Sequence, residues 1–326
     1  MTPILLTLSL LSSENLTTDG AVVVTHQSAS ESTTENEWLA SGDLIFHFKT
    51  SDNHLRIYVE GSTTTNNNGV SGMFPRANAD AGSALHSDGD GRIQLSEFAY
   101  GFRLKEAHAI EFGIVDLTGF FDTSLLMNDE TRSFLNTGLG NNPTIPFPDY
   151  TLATHYRYTE NENTSWRIAY AHGRGLADIS QRSYGGLFDD VAADHGPFVI
   201  AAYQTKIFNS KLQLGTWRAE HREQSGFYAN LDHQRNHHGY SFRWGHTFTK
   251  ASVVQNFLGV AYAYTHGRWT HSIGATYAEQ FDDGNYHDVE VISRFALSNQ
   301  HQFAASWQRI NSDHIWSFRY AWFWRK

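Results

Sequence analysis

The sequence predicts an all-β fold, a transmembrane antiparallel β-barrel of about 16 strands. Three observations carry the prediction. The chain is polar on average, with a mean hydropathy of −0.45, yet 14% of its 326 residues are aromatic. A lipid-facing outer surface over a wetted interior explains both values at once. Apolar and polar residues alternate with a period of two nearly everywhere after residue 20, as strands with two different faces require. Finally, no apolar run approaches the roughly eighteen residues of a spanning helix, whereas a barrel strand needs only about ten alternating ones.

From the N-terminus, Ile4 to Leu11 resembles the apolar stretch of an export signal, but the first basic residue is Lys49. Residues 1–20 are therefore read as a signal remnant or a disordered terminus, and 21–326 as one barrel domain. Candidate strands are 21–28, 38–49, 54–60, 92–104, 106–116, 151–158, 164–172, 197–206, 211–219, 239–248, 253–265, 268–279, 288–297, 300–310 and 314–324. These number fifteen; bacterial barrels take an even number, so one is missed or one is split, and sixteen is expected. Short polar turns at 50–53, 159–163 and 312–314 contrast with long segments at 61–91, 117–150, 173–196 and 220–238. Short turns at one end and long loops at the other are usual for such barrels.

The last strand shows the two faces best. Trp316, Phe318, Tyr320, Trp322 and Trp324 share one face, opposite Ser317, Arg319, Ala321 and Arg325, with Phe323 as the exception. That aromatic face would be a severe exposed patch in water but is stable against lipid. Likewise Tyr240, Phe242, Trp244, His246 and Phe248 oppose Arg243; Trp166, Ile168 and Tyr170 oppose Arg167; and Leu152, Tyr156 and Tyr158 oppose His155 and Arg157. Arginine against lipid near the midplane costs roughly 2–4 kcal/mol. Parity thus turns Arg157, Arg167, Arg243 and Arg319 into the lumen, with Glu97 and Arg103 opposite Phe98 and Phe102. These six are the candidate pore-lining residues, donors and acceptors for a passing solute.

One segment offers a competing chemistry. Asp88, Asp90, Gly91, Ile93 and Glu97 fall at calcium-loop spacing, but His86 occupies the first ligand position and no helical pattern flanks the run. Downstream, Phe98, Tyr100, Phe102 and Leu104 alternate as a strand, so the segment reads as a polar turn and no metal is expected.

The same region carries a family resemblance. Asn78-Ala79-Asp80, the run Gly91-Arg92-Ile93-Gln94-Leu95-Ser96-Glu97, Phe121-Asp122, Phe134-Leu135-Asn136 and Asn142-Pro143 follow one another within residues 74–148. In this order they resemble the carbohydrate-selective porin (OprB-type) family of bacterial outer membranes. The resemblance implies a sixteen-stranded barrel in the outer membrane, loops folded inward, a charged eyelet and passive diffusion of sugars. It also implies lipid and lipopolysaccharide as surroundings and a monomer or homotrimer. The motif residues carried over are Asn78, Asp80, Gly91, Gln94, Ser96, Glu97, Phe121, Asp122, Phe134, Asn136 and Pro143.

Other classes find little support. The absence of cysteine excludes a disulfide scaffold and thiol chemistry, and the net charge of −10 disfavours nucleic acid. There are 18 histidines, several beside acids, as at Asp194-His195, Asp232-His233 and His287-Asp288, but no metalloprotease, serine-elbow, P-loop or dinucleotide motif accompanies them. The acidic pairs Asp189–Asp190 and Asp282–Asp283 read as loop residues. No enzyme and no cofactor is expected. The alternatives to a sugar porin are a general or anion-leaning diffusion porin and a β-rich surface binding protein.

Overall fold

The protein is represented by a computed structural model that describes residues 15–86, 88–179, 183–192, 196–249, 254–281 and 284–326. The signal-like stretch, the side chain of Asp190, the Asp194-His195 pair and the Asp282–Asp283 pair lie outside the described residues.

Sixteen antiparallel strands form one closed barrel: β1 (Leu16–Ala29), β2 (Glu37–Lys49), β3 (Asn53–Ser62), β4 (Ile93–Lys105), β5 (His108–Val115), β6 (Thr151–Thr159), β7 (Thr164–His172), β8 (Pro197–Ile207), β9 (Ser210–Ala219), β10 (Gln224–Arg235), β11 (His238–Thr247), β12 (Val254–His266), β13 (Trp269–Gln280), β14 (Asn285–Ala296), β15 (His301–Ile310) and β16 (Asp313–Arg325). Each strand pairs with its sequence neighbours, and β1 pairs with β16 to close the ring. The seam runs from Asp19 opposite Arg325 to Ala29 opposite Ile315, and Thr18 and Lys326 extend it with two reciprocal backbone hydrogen bonds of 2.9 Å. Closure leaves the ladder without an edge, as the hydrocarbon demands.

The missing sixteenth strand is β10, inside the stretch 220–238 that the sequence presents as a loop. Its inward face holds Tyr228 between Gly226 and Asn230, while Ser225 and Ala229 point out beside Phe227 and Leu231. An inward tyrosine and small outward residues blur the alternation. β1 also begins at Leu16 rather than at residue 21. The turn at 311–312 opens at the end of the long loops, not with the other short turns.

The faces follow parity. Trp316, Phe318 and Trp322 are exposed on the outside, as are Trp166, Ile168 and Tyr170, while Ser317, Arg319 and Arg243 are buried inside. Phe323, the exception in the last strand, turns inward, where Arg132 lies 4.4 Å above its ring. At β4 a bulge opposite Tyr58 and Val59 breaks strict alternation, so Ser96 and Glu97 both turn inward.

Two long loops enter the barrel. Residues 116–150, between β5 and β6, cross the interior and pack on the far wall. Leu117, Phe121 and Ile145 bury against Ala169, Ala171, Ile200 and Ala202, and Met127, Phe134 and Leu139 against Ala261, Ile292 and Ala304. Small wall residues make the room. A Cβ on Gly274 would come within 2.5 Å of Leu139, and one on Gly245 within 2.1 Å of the Thr144 hydroxyl. Residues 63–92 fold in beside this loop. The two join through Ala79 N–H to Leu135 C=O at 2.7 Å and Thr137 N–H to Arg76 C=O at 3.0 Å.

Phe318→Arg is expected to cost about 2–4 kcal/mol of membrane stability and to abolish heat-modifiable gel mobility. Ile45→Arg, on the open inner face of β2, assembles normally.

Candidate functional site

With one wall covered by the loop, the open lumen is eccentric. It runs along the inner faces of β1 to β6. One part, about 570 Å³, lies between the loop edge at 116–132 and β1 to β4; a second, about 290 Å³, adjoins it against β2 to β6. His47, Arg56 and Phe120 border both.

The wall chemistry begins in β3. Leu55, Ile57 and Val59 face lipid, so the alternate residues His54, Arg56, Tyr58 and Glu60 face inward. Arg56 binds Glu97 at 2.7 and 3.0 Å and Glu111 at 3.0 Å, and His54 lies 2.5 Å from Glu111. Glu97 also accepts the Asp116 N–H at 2.8 Å, tying the start of the loop to this charged ladder. Tyr58 donates to Asp43 at 2.7 Å, and Tyr150 donates to Glu60 at 2.8 Å. Phe120 is the apolar group among them, with Arg56 5.2 Å over its ring and the His155 ring 4.3 Å away.

The two parts differ in charge. The part beside β1 to β4 is bordered by Asp19, Asp43, Asp116, Asp129 and Glu130 as well as Arg56 and Arg132. The part beside β2 to β6 gathers Lys49, His54, Arg56, His155 and Arg157 around Glu111.

Six lumen residues were expected from parity, and they divide into two groups. Glu97 and Arg157 border the open channel, and Arg103 stands exposed at its short-turn mouth, paired across the sheet with Ala109. Arg167, Arg243 and Arg319 instead hold the loop. Arg167 donates to Phe120 C=O at 3.0 Å. Arg243, fully buried, lies 3.3 Å from the Asp122 carboxylate and donates to Asp122 C=O at 3.1 Å and Asn128 Oδ1 at 2.6 Å. Arg319, also buried, donates to Glu130 C=O and to Ser133 C=O. A guanidinium enclosed by carbonyls and a carboxylate braces the loop and is not available to a solute.

The motif residues congregate at the same joints. Asp122 accepts the Asn142 N–H and the Asn230 amide, each at 3.0 Å, which fixes both ends of the constricting segment and seats Pro143 beside Asn142. Glu290 of β14 accepts the Leu135 and Asn136 N–H groups at 2.8–3.1 Å, while Phe134 fills the apolar contact next to them. Phe121 lies in the other apolar cluster. In the second loop, Asn78 donates to Gln27 at 2.9 Å, and Asp80 accepts from Ser41 at 2.6 Å. Gly91 N–H bonds Thr64 Oγ1 at 3.0 Å, and Gln94 links Glu60 to Ser96. The calcium-spaced residues form a turn before β4: His86 N–H bonds Asp90 C=O at 2.7 Å, and Asp90 N–H bonds the Asp88 carboxylate at 3.1 Å.

Sequence reasoning missed His54, Arg56, Asp43, Glu111 and Phe120. The alternation in β3 carried the signal for the first two. The two described histidine–acid neighbours prove to be parity artefacts. His233 turns outward and Asp232 inward, and His287 and Asp288 divide in the same way.

No protein-family profile matches the chain. An uncharacterized protein of Aquifex aeolicus (strain VF5) is 39% identical over 83 residues, 26% of this chain, and the match spans about a quarter (26%) of that relative's own length. Solved structures cover far more of it. OprB of Pseudomonas putida, in its high-pH structure, superposes with a TM-score of 0.73 at 12% identity over 95% of this chain and 94% of that one. OmpF of Salmonella typhi, solved in complex with daunomycin, gives 0.61 at 9% identity over 95% and 97%, and OmpT of Vibrio cholerae, lacking loop L8, gives 0.60 at 11% over 95% and 99%.

Two outcomes follow from the braces and the acid cluster. Arg243→Gln leaves Asp122 buried without its cation, costing about 3–5 kcal/mol, and single-channel records should show larger, noisier conductance that Asp122→Asn partly quiets. Burial raises Asp80 to about 6, helped by Asp43 and Asp129 and opposed by Ser41 and Arg319; burial with Asp80, Asp129 and Asp43 raises Glu130. Carboxyls raised in this way are neutral below their midpoint and charged above it. Reversal potentials should therefore show cation preference growing as pH rises through about 6 and beyond, with the lower part of the rise lost in Asp80→Asn. The chain has the closed sixteen-stranded fold of the outer-membrane porins.

Proposed function

We propose that the protein is an outer-membrane channel for passive diffusion of small polar solutes, with carbohydrates preferred. One observation carries the reading: the channel beside β1 to β6 sets the Phe120 ring among paired hydrogen-bonding charges, namely Arg56, Glu97, Glu111 and His54. A sugar presents an apolar face of C–H groups and a rim of hydroxyls, each both donor and acceptor. An aromatic ring suits the first, and alternating guanidinium and carboxylate groups suit the second. The charges largely satisfy one another, so a neutral solute can exchange hydrogen bonds with them without leaving an ion stripped of partners. The OprB likeness in the sequence supports the same solute class.

A general porin is the second reading, favoured by the acid-rich border at Asp19, Asp43, Asp116, Asp129 and Glu130. An anion preference has less support, because Arg167, Arg243 and Arg319 are occupied by the loop. No catalytic role is proposed.

Conductance in a planar bilayer, titrated with mono- and disaccharides at constant salt, tests the assignment. Saturable block is the expected result. Phe120→Ala should raise the half-blocking sugar concentration about tenfold, the equivalent of about 1.4 kcal/mol, without reducing open-channel current. Current without block would establish the general porin. No current from verifiably folded barrels would remove the channel reading altogether.

A further inference from the structure

The channel leaves the abundance of histidine unexplained. Three of these histidines repeat one arrangement. His108, His238 and His301 are each the first residue of a strand rising from a short turn, and each is half-buried on the outer face. The register sets an aromatic residue directly opposite each: Tyr158, Tyr264 and Trp322. In every case the imidazole Nδ1 meets the hydroxyl of the tyrosine two residues before that aromatic: Tyr156 at 2.6 Å, Tyr262 at 2.8 Å and Tyr320 at 2.8 Å. The ring opposite lies close to two of them: His108 stacks on Tyr158 at 5.0 Å, and His238 lies tilted against Tyr264 at 5.1 Å.

A tyrosine hydroxyl on Nδ1 fixes the ring and leaves Nε2 as its remaining polar atom. Across two of the turns stands a cation. Lys105 is the register partner of His108, and Arg235 of His238. Lys105 faces outward because a bulge between Arg103 and Lys105 absorbs Leu104. Of other ionisable groups, Glu106 shares the turn of His108 and His237 adjoins His238; His301 lies opposite Trp322 and beside Tyr320 on β16, and its C=O accepts the Leu297 N–H across the turn. Aromatic rings with polar tips mark the level where hydrocarbon meets head groups. A fixed imidazole beside Lys or Arg at that level is an acceptor for one chemistry, a phosphate ester.

We propose that these three histidine–tyrosine pairs, with Lys105 and Arg235, form a belt that binds phospholipid phosphates in the leaflet at the short-turn end. The proposal rests on the membrane-spanning reading of the barrel. The imidazolium donates through Nε2 to a phosphate oxygen while Lys105 or Arg235 neutralises the ester. A phosphate oxygen needs a donor, and an imidazolium offers one at Nε2, so lipid binding and proton binding are linked.

The test reconstitutes the whole barrel in phosphatidylglycerol vesicles, extracts it into a maltoside detergent, and measures lipid phosphorus retained per barrel at about pH 5.5 and at about pH 7.5. Retention several-fold higher at pH 5.5 is expected. It should fall to the pH 7.5 level in a triple variant, His108→Phe with His238→Phe and His301→Phe, and partly in Lys105→Gln with Arg235→Gln. Retention independent of pH, retention that survives in the triple variant, or retention abolished by excess inorganic phosphate would each overturn the proposal, the last by assigning the site to free phosphate. Heat-modifiable mobility of the same samples reports membrane assembly separately. A folded barrel without the pH response counts against the belt alone, whereas failure of the wild type to assemble counts against the membrane reading.

Discussion

Hydrocarbon offers no partner to a backbone N–H or C=O, and the rest of this molecule depends on that constraint. It demands a closed ladder, and the β1–β16 seam provides the closure. A closed ladder of sixteen strands encloses more space than wall side chains alone can fill. Two loops of the same chain take up the surplus, and the channel is what they leave free.

The loops are held by charge as much as by apolar contact. Asp122 with Arg243, and Arg319 with the Glu130 and Ser133 carbonyls, are buried polar joints. Such joints add little net stability compared with a well-packed apolar alternative, but a misplaced loop would leave each of them unpaired. They therefore select one loop position. The apolar anchors Phe121, Phe134 and Leu139 supply area, and the small residues opposite them admit it.

Much of the wall was legible from parity. Wherever one face is strongly aromatic, as in β16, β11 and β7, the opposite face could be read with it. β10 was not legible, because Tyr228 faces inward and Ala229 outward. The distinction between channel-lining and loop-bracing arginines was also hidden. Arg157 and Arg243 obey the same alternation, and only the path of a loop about a hundred residues earlier in the chain separates them. The motif residues were recognisable, but their chemistry was not, since Asp122, Asn136 and Asn78 act on partners remote in sequence. The ladder of His54 and Arg56 was within reach of the alternation that exposed the other faces.

The off-centre course of the channel has an evolutionary consequence. The side chains that border the channel come mainly from β1 to β6 and the near edge of one loop, while most joints that seat that loop come from β7 to β16, Glu60 and Glu97 being the exceptions. Substitutions in the first set can retune permeation without disturbing the second. Descendants of such a barrel can change the lining of the channel while inheriting the same scaffold, because the two demands fall on largely separate residues.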